Sequence, residues 1–395
     1  MKILHINTYD KGGAATACRR IHLGLLEQGI DSKVLYLKKT KEVKETYQFP
    51  HPKKSFSEKI IEKLKRKIFP KQDILKKFRD QIEIFSYPDS KYDITQHPLY
   101  QEADIIQLNW VSTFLDETTF FAKNTKPVVW RMADLYACGG GNHYEKDFPF
   151  EALKPLIEHN KNIRKKALSG ANLTMVCISD WVKQKAEASD VIGSFPKKVI
   201  HNGVDLQVFK PYNKDWSRSV FNLPIEKKLL LLGADSLQNK RKGADLAQEA
   251  LNTIQQKRSD IQVVTFGKGE SWNTDIISLG EIQDERLLAL LYSAADLFIM
   301  SSIEEAFGQV TIEALACGLP VVSFPTGGSV NIIKEGENGI LAKDFTANEL
   351  AKAIAKALSQ SFDLQVITDD VQKRFDIKDK VSEYRNLYET ILQLK

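Results

Sequence analysis

The chain has 395 residues, 43% of them hydrophobic and 27% charged, with a formal net charge of +5. That length exceeds what one ordinary hydrophobic core accommodates, and so small a charge does not by itself argue for a nucleic-acid partner. Cys18, Cys138, Cys177 and Cys317 lack C-x-x-C spacing, which speaks against a zinc site or a disulfide framework and fits a reducing cytoplasm.

No stretch approaches the ~18 uncharged apolar residues of a membrane span. The opening Met-Lys-Ile-Leu-His-Ile reads as a buried strand, not a secretory leader, so a cytoplasmic protein is expected. Ile3–Ile6 is the first predicted strand, Thr8 to Gly13 a glycine-bearing turn, and Ala17, Ile21, Leu25 and Leu26 mark one side of a helix. Short apolar runs at Val34–Leu37, Asp104–Leu108, Val128–Met132 and Leu173–Ile178 read as further strands of a parallel sheet covered on both faces. A second series starts at Leu229–Leu232 and continues through Val263–Phe266, Leu297–Met300 and Val321–Phe324. Helices at Ala244–Gln256 and Glu285–Ala294 separate its strands. The segment Val199–Pro211, with its Asn202-Gly203 turn and its proline, is the expected interdomain linker. In the last predicted helix, Lys378–Leu394, residues Val381, Tyr384, Leu387, Tyr388 and Ile391 recur at helical spacing and need a surface to bury against.

Lys38–Asp80 stands apart, with fifteen Lys or Arg against six Asp or Glu. Phe56, Ile60, Ile61, Leu64 and Ile68 share one side of a helix ringed by Lys59, Lys63, Lys65, Arg66 and Lys67. Two readings stay open: an interfacial helix on anionic lipid, and a solvated helix packed on the first sheet. Nucleic acid is not an expected partner, since interleaved aromatics and a nucleic-acid motif are both missing.

The sharpest signal is Ser302-Ile303-Glu304-Glu305-Ala306-Phe307-Gly308-Gln309-Val310-Thr311-Ile312-Glu313, followed by Ala314-Leu315-Ala316-Cys317-Gly318-Leu319-Pro320-Val321-Val322. A strand ends near Met300, a loop carries Glu305 and Gly308, and a helix beginning near Gly308 carries Glu313 in its second turn. At the carboxyl end of a parallel strand, glycine admits a ligand to the backbone and helix-start amides favour a phosphate. Two carboxylates so spaced can accept hydrogen bonds from hydroxyls at opposite ends of one extended molecule, the shape of a nucleotide sugar. An isolated pair of this spacing reads more simply as ordinary surface acids. The sequence around it decides otherwise.

Glutamate, Phe-Gly, glutamate and then Ala-x-Ala-Cys-Gly-x-Pro-Val-Val resembles, nearly position for position, the donor signature of the retaining family-4 glycosyltransferases of the GT-B fold. Ile200–Asp205 with Phe209 and Pro211, Leu291–Asp296, Gly327-Gly328 and Gly336–Gly339 resemble further landmarks of that family. Ala103–Ile106 with Trp110, and Asp134 with Gly140-Gly141, His143 and Tyr144, resemble its bacterial surface-polysaccharide branch.

The resemblance implies an α/β protein with two Rossmann-like domains whose parallel sheets face a central cleft. Residues 1–205 would form the acceptor-side domain with a basic insert at about 38–80, residues 206–375 the nucleotide-sugar domain, and 376–395 a helix returning to the first domain. It implies that Glu305 meets donor-sugar hydroxyls at the reacting face and that Glu313 accepts from the ribose. Lys242, with Arg241, would neutralise the pyrophosphate, helped by the amides around Phe307, Gly308, Gln309 and Val310. Gly12 and Gly13 would bring first-domain backbone close to donor phosphate or acceptor, Gly267 would lie on the donor side, and Asp134, His143 and Tyr144 on the acceptor side. The implied reaction is a metal-independent hexosyl transfer with retention. Its donor is a UDP-, GDP- or similar nucleotide sugar, no cofactor takes part, and the acceptor is a saccharide or, if the basic helix Phe56–Ile68 touches membrane, a lipid-linked saccharide reached by a cytoplasmic enzyme peripheral on that surface. Ala133 stands where the family usually has histidine, and Gly233-Ala234-Asp235 where it commonly has an arginine, for which Arg241 or Lys240 is the substitute in sequence. The alternative is a non-catalytic sugar-nucleotide-binding protein of the same fold. A Rossmann dehydrogenase fits least, because the first strand lacks the spaced triple-glycine turn.

Overall fold

Lys2–Tyr9 (β1) is buried at each of its six inner positions, as expected of a strand covered on both faces. In the computed structural model, which describes residues 1–50, 73–236, 239–268 and 275–393, it is the third strand of a seven-stranded sheet. The other strands are Asp31–Lys38 (β2), Thr46–Gln48 (β3), Ile105–Leu108 (β4), Val128–Met132 (β5), Leu173–Cys177 (β6) and Lys197–Val199 (β7). Their order is β3-β2-β1-β4-β5-β6-β7, and β1 pairs in parallel with β2 and β4. The helix Gly13–Glu27 follows β1 directly. The basic amphipathic segment Phe56–Ile68 lies outside the described residues.

A second, six-stranded sheet has the order β10-β9-β8-β11-β12-β13. It comprises Lys228–Ser236 (β8), Ile261–Lys268 (β9), Ile276–Ser278 (β10), Leu297–Met300 (β11), Val321–Ser323 (β12) and Gly339–Leu341 (β13). Its neighbouring strands pair in parallel, as β8 does with β9 and β11. The two sheets give the mixed α/β, doubly wound architecture that the alternation predicts. Val128–Met132, Leu297–Met300 and the helix Glu285–Ala294 match the predicted bounds residue for residue.

Contacts divide the chain into two units. The first holds Met1–Cys18, Leu25–Val176 and Lys185–Lys198, and the second Arg19–Gly24, Cys177–Gln184 and Val199–Lys395. In the second unit Leu230, Leu232, Val263, Ile299 and Val322 pack from the sheet against Leu251 and Ile254 of the helix Ala244–Lys257 and Leu350 and Ile354 of the helix Ala347–Leu358. The helix Ile377–Gln393 buries Val381, Tyr384, Leu387 and Tyr388, four of the five residues whose spacing asked for a surface. Val381 packs against Gly24.

The first unit contains a fully buried ion pair. Arg164 donates from Nε and Nη2 to the two oxygens of Glu117, each at 2.7 Å. Its Nη1 donates to Tyr136 O at 2.7 Å and also to Gly139 O. Such a pair ties the loop after β5 to the helix Phe150–Leu168 and satisfies both charges at once. Cys18, Cys177 and Cys317 are buried, and Cys138 is only partly so. Among the described residues no helix is long and apolar enough to cross a membrane.

Candidate active site

Strand order in the second sheet reverses between β8 and β11, and ligands of open α/β sheets bind outside the carboxyl ends of strands at such a point. The turn Lys240–Lys242 follows β8 and is capped by Asn239, whose side chain accepts from Arg241 N at 3.0 Å. It is docked on the loop after β11: Ser301 Oγ donates to Lys242 O at 2.7 Å and Ile303 N to Arg241 O at 2.8 Å. Lys242 Nζ then donates to Glu305 Oε2 at 2.7 Å. Arg241 Nη1 donates to Glu304 O at 2.8 Å and lies 3.5 Å from the same Glu305 oxygen. Burial pushes the Glu305 carboxyl up, but Lys242 and Arg241 more than offset it and bring it down to about 2. The group is therefore an anion at neutral pH, held between two cations.

The backbone behind Glu305 is fixed by Gly327-Gly328. Gly328 N donates to Glu305 O at 3.1 Å, and a Cβ on Gly327, at φ +34°, would lie 1.7 Å from that oxygen. Ser179 Oγ donates to Ala306 O at 2.7 Å. Phe307 is buried, its ring 5.8 Å from that of His201 and 5.9 Å from that of Phe375. Gly308, at φ +100°, opens the helix Gln309–Ala316, so Gln309 and Val310 stand in the first turn, where the helix start carries partial positive charge. Gly267 lies near the end of β9, and its N–H donates to Gly280 O at 2.8 Å.

Glu313, the fifth residue of that helix, is 4% exposed. Its Oε1 accepts from Arg20 Nη2 at 2.8 Å. The same nitrogen reaches Glu285 Oε1 at 3.1 Å, which Arg19 Nη2 also meets at 2.9 Å. Arg20 Nη1 donates to Gly203 O at 3.3 Å, its guanidinium lies 5.1 Å from the centre of the Phe209 ring, and Gln309 Nε2 donates to Gly203 O at 3.2 Å. Burial holds the Glu313 carboxyl above the ordinary glutamate range, and Arg20 pulls against it.

In the first unit the order reverses between β1 and β4. Gly12, at φ +85°, and Gly13 follow β1, and neither position has an atom that an added Cβ would meet within 4 Å. After β5, Asp134 Oδ2 contacts His143 Nδ1 at 2.7 Å and accepts from Trp110 Nε1 at 2.9 Å, while Oδ1 accepts from Tyr136 N at 2.9 Å. His143 Nε2 lies 2.8 Å from Ser86 Oγ, and its ring stacks on Tyr136 at 5.0 Å. Asp134 and His143 are thus enclosed and brace the loop that carries the half-buried Tyr144. Burial pushes the Asp134 carboxyl up, and His143 with the hydrogen bonds brings it below the ordinary aspartate range. Beside this loop a cavity of ≈ 370 Å³ is lined by Cys138, Asn142, Glu145, Phe150 and Lys154 among others.

Of the residues singled out in sequence, Lys242, Arg241 and Glu305 meet directly, and Phe307 to Val310 with Glu313 continue from them along one loop and helix. Asp134 and His143 form a second group, in the first unit. Sequence reasoning missed Arg20 and Glu285. Arg20 is 293 positions from Glu313, and the sole hint was a carboxylate inside the apolar helix sequence QVTIEALA, which needs a cation once buried.

Residues 226–360 match the family described as glycosyl transferases group 1. The match takes in Lys242, Glu305 and Glu313. D-inositol 3-phosphate glycosyltransferase of Mycolicibacterium smegmatis is 30% identical over 174 residues, covering 41% of this chain and 40% of that one. The chain spans about half the length of the curated relatives it matches. Among solved structures, sucrose-phosphate synthase from Thermosynechococcus elongatus superposes with a TM-score of 0.70 at 18% identity, covering 100% of both chains. Anabaena HepE, in complex with UDP and glucose, gives 0.69 at 18% identity over 98% of this chain and 99% of its own. These likenesses show the fold, the GT-B type with two parallel sheets.

Proposed function

We propose that the protein is a retaining, metal-independent glycosyltransferase that moves a hexose-type sugar from a nucleoside-diphosphate donor to a saccharide or lipid-linked saccharide in bacterial surface-polysaccharide synthesis. The observation that carries this reading is the Lys242–Glu305 pair, with Arg241 beside it, at the switch point before a glycine-started helix. The group 1 match over the same residues and a UDP-bound neighbour of like fold support it.

In the proposed reaction the C1–O bond to the diphosphate breaks through an oxocarbenium-like state, and the acceptor oxygen bonds to C1 from the face that the diphosphate leaves. The acceptor proton passes to the departing phosphate. Lys242, Arg241 and the amides at Gln309 and Val310 offset the charge growing on the diphosphate, which is where preorganised positive charge does most for the rate. Glu305 orients sugar hydroxyls and Glu313 the ribose. Gly12 and Gly13 offer open backbone, and the loop braced by Asp134 and His143 presents Tyr144 on the acceptor side. The basic segment Phe56–Ile68 is the proposed contact with an anionic membrane.

Thermal-shift screening with UDP, GDP, ADP, TDP and CMP and their sugar conjugates tests the donor assignment. A selective rise in Tm that disappears in Glu313→Ala is expected, and no rise with any nucleotide would sink the reading. Donor binding without transfer to any acceptor would favour a non-catalytic binding protein, for which the alanine at position 133 is the first residue to examine.

A further inference from the structure

Glu313 is buried in the helix Gln309–Ala316, and its charge is met by Arg20, whose own side chain is 5% exposed. Arg20 makes three polar contacts that converge on this spot: Glu313, Glu285 and Gly203 O. Gly203 O also takes the side chain of Gln309, four residues before Glu313 on the same helix. Arg20 therefore fixes both the carboxylate and the turn of backbone that holds its neighbour. Its Nε is buried without a partner, so the guanidinium is not placed to satisfy every donor it has. What its position does satisfy is the bridge between two acids, of which Glu285 caps no nucleotide in the proposed reaction and Glu313 does.

We propose that Arg20 is a positioning residue of the donor site, holding Glu313 in the orientation and charge state in which it accepts from the ribose hydroxyls. This rests on the glycosyltransferase reading and deepens it. The two acids sit close enough that without a shared cation they repel, and a carboxylate in so enclosed a place would take up a proton and become a donor in its turn. Arg20 prevents both. Arg19 brings a second cation to the same Glu285 oxygen, so Glu285 does not depend on Arg20 alone. The other titratable groups that act on Glu313 are Tyr292 and Cys317. Both are neutral when protonated, so Arg20 is the cation of this set.

The alternative is that Arg20 merely stabilises the fold, and the ribose tells the two apart. The experiment takes the full chain, whichever of UDP, GDP and ADP the wild type binds, and the 2′-deoxy counterpart of that nucleotide. Wild type should prefer the ribonucleotide. Arg20→Gln is expected to bind it roughly tenfold more weakly and to lose the preference, as Glu313→Gln does, and the double variant should be no weaker than either single one. Raising the pH should restore part of the preference in Arg20→Gln as Glu313 ionises, and Arg20→Lys should keep most of it at neutral pH. An Arg20→Gln protein that keeps the wild-type preference at every pH, whatever its Tm, overturns the inference and leaves the donor site standing. A wild type that binds none of the five nucleotides of the thermal-shift screen overturns both.

Discussion

Lys242 Nζ lies 2.7 Å from Glu305 Oε2, so the cation proposed for the pyrophosphate is already held by the carboxylate proposed for the sugar. Lys242 keeps Glu305 ionised, and the contact holds both groups aimed before any donor arrives. A donor phosphate bound as proposed would compete with Glu305 for Lys242, and Arg241, 3.5 Å from that oxygen, is in place to hold the carboxylate meanwhile. Lys242→Ala is accordingly expected to lower kcat by about 10²–10³, the usual loss when one preorganised charge is removed, with a smaller change in nucleotide affinity. Steady-state kinetics beside direct binding measures the split, and equal, mild losses in both would contradict the role.

The same pair predicts an acid limb of stability. Glu305 has its folded pKa lowered from 4.5 to about 2, so its contribution is fully present above the unfolded value and disappears as pH falls through the folded one. At ~1.4 kcal/mol per unit this amounts to roughly 3 kcal/mol. Tm measured against pH should fall between about pH 5 and 2 more steeply in wild type than in Glu305→Gln; parallel curves would argue against it.

Glu313→Ala removes a charge-assisted hydrogen bond to the proposed ribose, a loss of roughly 1.5–3 kcal/mol in nucleotide binding. It also takes from Arg20 one of its two carboxylate partners, leaving Glu285 and Gly203 O, so a drop in Tm of the unliganded protein should accompany it. Calorimetric titration and a thermal melt separate the two effects.

Gly327→Ala places a Cβ 1.7 Å from Glu305 O. No rotamer relieves a clash with backbone, so the loop must shift, and nucleotide binding should be lost while urea unfolding of the remainder stays cooperative. Native affinity in this variant would show that the loop carrying Glu305 is not what binds the donor.

Glu117→Gln strands the buried Arg164 guanidinium. Breaking one side of such a pair costs about 3–5 kcal/mol, and chemical denaturation should show it, with the loop Tyr136–Gly139 the first to lose amide protection from hydrogen exchange.

Strands that are buried on both faces announced themselves in sequence, as Val128–Met132 and Leu297–Met300 show. The three-residue strands β3, β7, β10 and β13 did not, because so few residues carry no period to read; β12, equally short, was legible through the apolar run Val321–Phe324. The local half of the site, Glu305 to Glu313, was legible for the complementary reason: strand, loop and helix are contiguous, and their chemistry is written in one line. Lys242 could be placed only through its resemblance to a family, since a lysine before a helix is ordinary. Arg20 and Ser179 reach Glu313 and Ala306 across more than a hundred positions of chain. Contacts of that range depend on how the helices pack, and no local pattern encodes them.

Burial of the thiols has a practical consequence. Cys18, Cys177 and Cys317 are enclosed, and burial lifts the Cys317 thiol far above its ordinary range, so these react slowly with alkylating reagents under native conditions. Cys138 is partly accessible and stands on the wall of the ≈ 370 Å³ cavity. The unmodified chain therefore offers a single native handle for a maleimide fluorophore, and a dye placed there would report directly on whatever enters that cavity.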